Sequence, residues 1–197
     1  NKKKIMTIVA VILVLAIIIA GIVTYFVINR NKPENIIYDC ASYFNDKNWD
    51  EFTNCIDFKG YYALGYLGTE EFTKFDEAYN EIEDIEDYKD YDQFMNTFMP
   101  YKKDIFDSSF TGITINIEKI ISVNKIENTK SLYKVKADLK LSDKEQSQTN
   151  TVDFYVTKVD KEYKIVEGFF PYLVYTQFSD YFNYIYNSVL SNQNSQE

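Results

Sequence analysis

The 197-residue sequence has no histidine, one arginine, one tryptophan, two cysteines, three prolines and six glycines. Without histidine there is no Ser-His-Asp or Cys-His nucleophilic system, no imidazole general base and no common catalytic zinc set. The glycines follow neither a Walker-type nor a dinucleotide-binding spacing, so no phosphate-cradling loop is expected. Positive charge is scarce where it would matter. All 30 acids follow position 32, with 16 of the 21 basic residues, so this part is more acidic than the whole chain at −9. Such a surface repels phosphate backbones and excludes nucleic acid as an expected partner. No cofactor, metal or catalytic residue is assigned.

The second feature is an apolar run. Ile5 to Ile28 is 24 residues without a charge. At 1.5 Å per residue it would reach about 36 Å, enough to cross a hydrocarbon layer of about 30 Å. Tyr25 and Phe26 would fall at the far interface, where aromatic rings are favoured. A cleaved signal peptide would be shorter and end at a small-x-small site. Here the run continues past Ala20-Gly21, and an uncleaved span is expected. Lys2, Lys3 and Lys4 precede it and Arg30 and Lys32 follow, which favours a cytoplasmic N-terminus. The expected organisation is a basic cytoplasmic stub at 1–4, a transmembrane helix at 5–28 and a linker at 29–33. An extracytoplasmic domain at 34–190 and a disordered tail at 191–197 follow. The lipid bilayer, met through Ile5 to Ile28, is the first expected partner.

Beyond Pro33 the periodicity is first helical. Ile36, Ile37, Cys40, Tyr43 and Phe44 share a stripe, Asn45 to Asn48 is a turn, and Trp49, Phe52, Cys55 and Ile56 resume the period: an αα-hairpin. Phe58 to Gly68 reads as an irregular apolar connection. Thr69-Glu70-Glu71 starts a long helical region with its stripe at Phe72, Phe75, Tyr79, Ile82 and Ile85. A break is expected at Asp87 to Asp90, and Pro100 should kink or end the last piece.

After Ser108-Ser109 the period becomes two. Ile113, Ile115 and Ile117 alternate, then slip through Ile120, Ile121 and Val123, which implies a bulge near Glu118-Lys119. Tyr133 to Leu141, Val152 to Val156 and Tyr163 to Phe169 follow as strands of an antiparallel meander with one buried face. Pro171 ends it. Val174, Phe178, Phe182, Ile185 and Val189 then mark an amphipathic C-terminal helix.

This order resembles the nuclear transport factor 2-like cone fold, over Pro33 to Phe169. The opening PENIIYDCASYFNDKNWDEFTNCID resembles that family's helix, Asp/Asn turn, aromatic and second helix. The segments YKVKADLKL and TVDFYVTKVDKEYKIVEG resemble its long hairpin strands. The resemblance implies an α+β domain: a helical hairpin and long helix on a curved antiparallel sheet of about four strands. With the AT-rich codon bias in Ile, Lys, Asn and Tyr, it points to the membrane-anchored proteins of low-GC Gram-positive bacteria. It implies a cone that can hold a small apolar ligand. The terminal helix departs from the usual ending; it either closes the cone or packs on a protein partner or second copy.

Four residue sets remain. Asp153 and Glu167 lie on strands, as solvent-facing charges or as buried acids in the cone. The carboxylates from Glu70 to Asp92 read as a solvated helix face, the alternative being a cation site without an EF-hand loop. Cys40 and Cys55 lie symmetrically about the hairpin turn, so they are either two small buried residues or a disulfide. The stripe from Val174 to Val189 is the partner or cone-closing face, with Phe178 and Phe182 expected to be buried. The expected function is a membrane-anchored extracytoplasmic binding or assembly domain without catalysis. The alternatives are a subunit of a cell-envelope machine, such as a conjugation or secretion assembly component, and a cone enzyme acting on a small apolar substrate.

Overall fold

A computed structural model describes residues 15–19, 32–68 and 71–194, with side-chain surroundings as far as residue 188. Residues 15–19 are helical and exposed. The rest of the expected span at Ile5 to Ile28, together with the stub at 1–4 and most of the linker at 29–33, lies outside the described residues. Among the described residues no helix is long and apolar enough to cross a membrane.

The fold is α+β, with helices packed on a four-stranded antiparallel sheet in the order β1-β2-β3-β4. Helix α1 (Asn35–Asn45) and α2 (Trp49–Asn54) form the hairpin. Lys47 adopts φ 55° in the turn, and the Asn48 side chain caps α2 by accepting from the Glu51 amide. The Asn45 side chain reaches the sheet edge. Its amide donates to the Ile115 carbonyl at 2.7 Å, and its oxygen accepts from the Ile115 amide at 2.8 Å.

The stretch expected to be irregular is helix α3 (Phe58–Leu67). Asp57 caps it by accepting from the Gly60 amide at 3.1 Å, and Gly68 ends it at φ 72°. The two cap residues were the local signal, an Asp before the run and a Gly after it. Gly60 lets α3 lie directly on the sheet: a Cβ there would come within 2.4 Å of the Val166 side chain.

The long helical region is segmented. Helices α4 (Phe75–Glu81) and α5 (Glu86–Phe98) are parted by a 3-10 turn and by Ile85, whose backbone is extended at ψ 128°. The break therefore comes earlier than Asp87. Of the expected cap Thr69-Glu70-Glu71, the first two residues lie outside the described residues. Pro100 sits in the 3-10 turn Met99–Tyr101, before α6 (Lys102–Ser109), where its missing N–H is harmless.

Strands β1 (Thr114–Lys125), β2 (Tyr133–Ser142), β3 (Ser147–Val159) and β4 (Glu162–Glu167) form the meander. The β1–β2 register slips between Ile117 and Lys119 and again between Ile120 and Ser122. On β4, the Ile165 amide donates to the Cys55 carbonyl at 2.9 Å and the Ile165 carbonyl accepts from the Asp57 amide at 3.0 Å, so the link between α2 and α3 covers that edge.

One-sided burial holds only in part. Phe154, Val156 and Ile165 join the main core with Phe44, Phe52, Phe106, Phe170 and Phe178. Tyr155 and Val166, one residue along, join a second core with Ala63, Leu64, Phe75 and Ile82. Helices α3 and α4 thus cover the outer face of β3 and β4. Helix α7 (Phe169–Asn194) starts five residues earlier than Val174, with Pro171 in its first turn. It continues through residues 191–194, which were expected in the tail; residues 195–197 lie outside the described residues.

Candidate functional site

The interior between helices and sheet is filled by rings. Phe106 stacks on Phe178 with centroids 5.5 Å apart, and Phe170 packs on Phe154 at 5.6 Å. The concave feature with the most distinctive lining lies at the surface, where α3, α5 and α7 meet the end of β4. It is a cleft of ≈ 410 Å³ lined by Tyr61, Tyr62, Gly65, Tyr66, Tyr91, Glu167 and Tyr175. Of two larger depressions, that of ≈ 490 Å³ is lined chiefly by charged side chains, and that of ≈ 640 Å³ half by charged side chains and half by Tyr66, Leu67, Ala78, Ile82 and Ile85.

Helical spacing builds the cleft. Tyr61, Tyr62, Gly65 and Tyr66 fall on neighbouring faces of α3, and Gly65 leaves a gap between rings. Tyr62 packs on Tyr91 at 4.9 Å, Tyr91 on Tyr175 at 6.1 Å, and Tyr175 on Tyr61 at 6.3 Å. Tyr88 extends the row, 5.4 Å from Tyr62. The Tyr91 hydroxyl is buried without a hydrogen-bond partner, so the cleft meets the ring of Tyr91 and not its oxygen.

Burial is the first cause that raises the phenols of Tyr61, Tyr62 and Tyr91 above their ordinary value. Glu167 adds to this at Tyr61, as do Asp87 and Asp90 at Tyr62. Burial pushes Tyr88 up to about 12. These raised phenols stay protonated near neutrality and do not serve as bases. Burial also raises the Glu167 carboxyl, and Lys134 partly draws it back.

The expected residues fall in different places. Asp153 pairs with Lys134 at 2.8 Å, which leaves Glu167 as the acid that lines a cleft. Most carboxylates from Glu71 to Asp92 are exposed, Glu70 lies outside the described residues, and among the described residues no acids or thiols converge as a metal set. Cys40 and Cys55 are free, buried thiols. Burial and then a hydrogen bond with Cys55 push the Cys40 thiol well up.

The C-terminal stripe divides. Val174 and Phe178 are fully buried, but Phe182 is 46% exposed and Ile185 40% exposed. Phe182 touches Phe94 and Phe98 edge-on and stacks on Tyr186. The expected burial of Phe182 does not hold, because α7 outruns the helices it packs against. Val189 lies outside the residues whose side chains are described. The cleft itself was hidden in the sequence by the sheer number of tyrosines, 18 in all. The signal that could have found it is the YYALGY spacing in α3.

In comparisons with known proteins, no family model matches the chain and no curated protein matches it.

Proposed function

We propose that this chain is a membrane-anchored, extracytoplasmic binding domain without catalytic activity, and that the tyrosine-walled cleft is its contact site. The observation that carries the reading is the cleft lining: five tyrosine rings beside one carboxylate, on the rims of three packed helices. The apolar run Ile5 to Ile28 supports the anchor, and its flanking lysines support the orientation. Helical hairpin, further helices, then a four-stranded meander supports the nuclear transport factor 2-like reading of the domain. In this reading α7 closes the mouth of the cone with Val174 and Phe178.

A second reading draws on the outer half of α7. Phe182, Ile185 and Tyr186 form an exposed apolar surface there, which supports assembly with a second copy or with other envelope components.

Hydroxyl-radical footprinting tests the first reading. The chain in isolated envelopes is compared with the purified chain in maltoside detergent. Tyr66 and Tyr175 should be protected in the envelope, while Tyr101, 54% exposed and outside the cleft, reacts equally in both. Equal reaction of all three would remove the cleft as the contact site. Protection confined to Tyr186 would move the assembly reading ahead.

A further inference from the structure

We infer that the cleft between α3, α5 and α7 is a site for a quaternary ammonium group, with the rings of Tyr61, Tyr62, Tyr66, Tyr91 and Tyr175 as its walls and Glu167 as its counter-charge. This rests on the cleft being the contact site and adds the chemical class of the ligand.

Three observations lead there. The first is the lining: five tyrosine rings line one cleft, and a cation within about 6 Å of a tyrosine ring face is attracted. The second is charge. Among the described residues Glu167 forms no ion pair, although a nearby lysine exists: Lys134 is engaged by Asp153 at 2.8 Å. The third is how the chain treats its other tyrosines. Lys59 lies over Tyr79 at 4.6 Å, Lys134 over Tyr155 at 5.6 Å and Lys158 over Tyr163 at 5.2 Å. Among the described residues no lysine lies over a cleft tyrosine, so the wall with the most rings has no cation of its own.

The lining also discriminates between cations. A primary ammonium carries three N–H donors and needs an acceptor for each. The acceptors in the cleft are the Glu167 carboxylate and phenol oxygens at the ring edges, the Tyr91 oxygen being buried, while the ring faces themselves accept no ordinary hydrogen bond. A trimethylammonium has no donors to satisfy, spreads its charge over methyl groups and suits ring faces. An anion would meet Glu167 together with Asp87 and Asp90, which already act on Tyr62.

The test uses the full 197-residue chain in maltoside micelles, with choline as probe and 3,3-dimethylbutan-1-ol as its uncharged isostere. Saturation-transfer NMR should show choline methyl groups in contact with the chain, with the isostere binding at least ~10-fold more weakly. A Cβ at Gly65 meets nothing within 4 Å, so Gly65→Leu should fill the cleft, keep the thermal midpoint and abolish the signal. Tyr66→Ser, at a side chain 61% exposed, should weaken binding without disturbing the fold and provides a second variant. Glu167→Gln should weaken choline, but by less than removing the charge from the ligand does, since the rings still attract the cation. Phosphocholine distinguishes the sources: weaker binding than choline indicates a free cation, and tighter binding indicates a headgroup. Equal binding of choline and isostere, or choline binding unchanged in Gly65→Leu and Tyr66→Ser, would overturn the assignment. If footprinting protects the cleft yet choline fails, the contact site stands and only the ligand class is wrong.

Discussion

Asn45 joins two levels of the structure, since a side chain at the end of α1 completes the backbone hydrogen bonding of Ile115 on β1. Losing two partly buried bonds of this kind at about 1 kcal/mol each should lower stability by about 2 kcal/mol in Asn45→Ala. Urea unfolding measures it, and a change below about 0.5 kcal/mol would show that the bonds are replaced by water. Glu167 makes a pH prediction. Its folded-state value is raised above the ordinary 4.5, so the native state binds this proton more tightly than the unfolded chain does. The resulting stability is fully present below 4.5 and is lost as pH rises through the raised value. Asp57, also raised chiefly by burial, acts in the same direction. Glu167→Gln should therefore flatten, not abolish, the fall in stability from acid to neutral pH. Parallel curves for the two proteins would contradict the burial of this carboxyl. The cysteines give a third outcome. Cys40 is buried with its thiol pushed up, and Cys55 is buried beside it, so neither residue should be alkylated in the folded chain near neutrality. The two thiols are hydrogen-bonded neighbours, and the sequence leaves both readings open, two small buried residues or a disulfide. Mass spectrometry of envelope-purified, never-reduced protein tests it by the loss of two hydrogens.

At the scale of elements, α7 makes the sharpest contrast between residues. Phe178 stacks inside the core and is 0% exposed, while Phe182 lies 46% exposed on the rim. Truncating Phe178 to alanine should cost about 3–5 kcal/mol. Phe182→Ala should cost less than about 1.5 kcal/mol, since about half of its surface stays in water. Equal losses would mean that the outer half of α7 is buried in the working state. Strands were the most legible elements, because Tyr133 to Leu141 alternates without interruption and the slip near Glu118 announced its bulge. Helix α3 was concealed by Gly60 and Gly65, which lower helix propensity and read as loop. Gly60 is there for contact with Val166, and a property of two packed elements cannot be seen in one of them. Ile85 misled for the opposite reason: an apolar residue in phase with the stripe, it sits at an extended joint and caps α5.

For the whole molecule, the division into an apolar N-terminal run and an acidic remainder was plain from charge alone, since no acid precedes position 33. The candidate site was not. It is assembled from α3, α5, β4 and α7, which are separated in sequence by up to about a hundred residues, and tyrosines are too common here to mark it. Double-sided burial at β3 and β4 was missed for a related reason, as Tyr155 reads as an ordinary outward residue until α3 and α4 are laid over it. Display of this domain outside the membrane is the claim on which the functional account depends. The most direct measurement places a single cysteine at the C-terminus, Ser195→Cys in a chain lacking Cys40 and Cys55, and treats intact cells with a membrane-impermeant thiol reagent. The account predicts labelling of intact cells on a full-length product. Labelling only after lysis, or a secreted product beginning near Gly21, would contradict it.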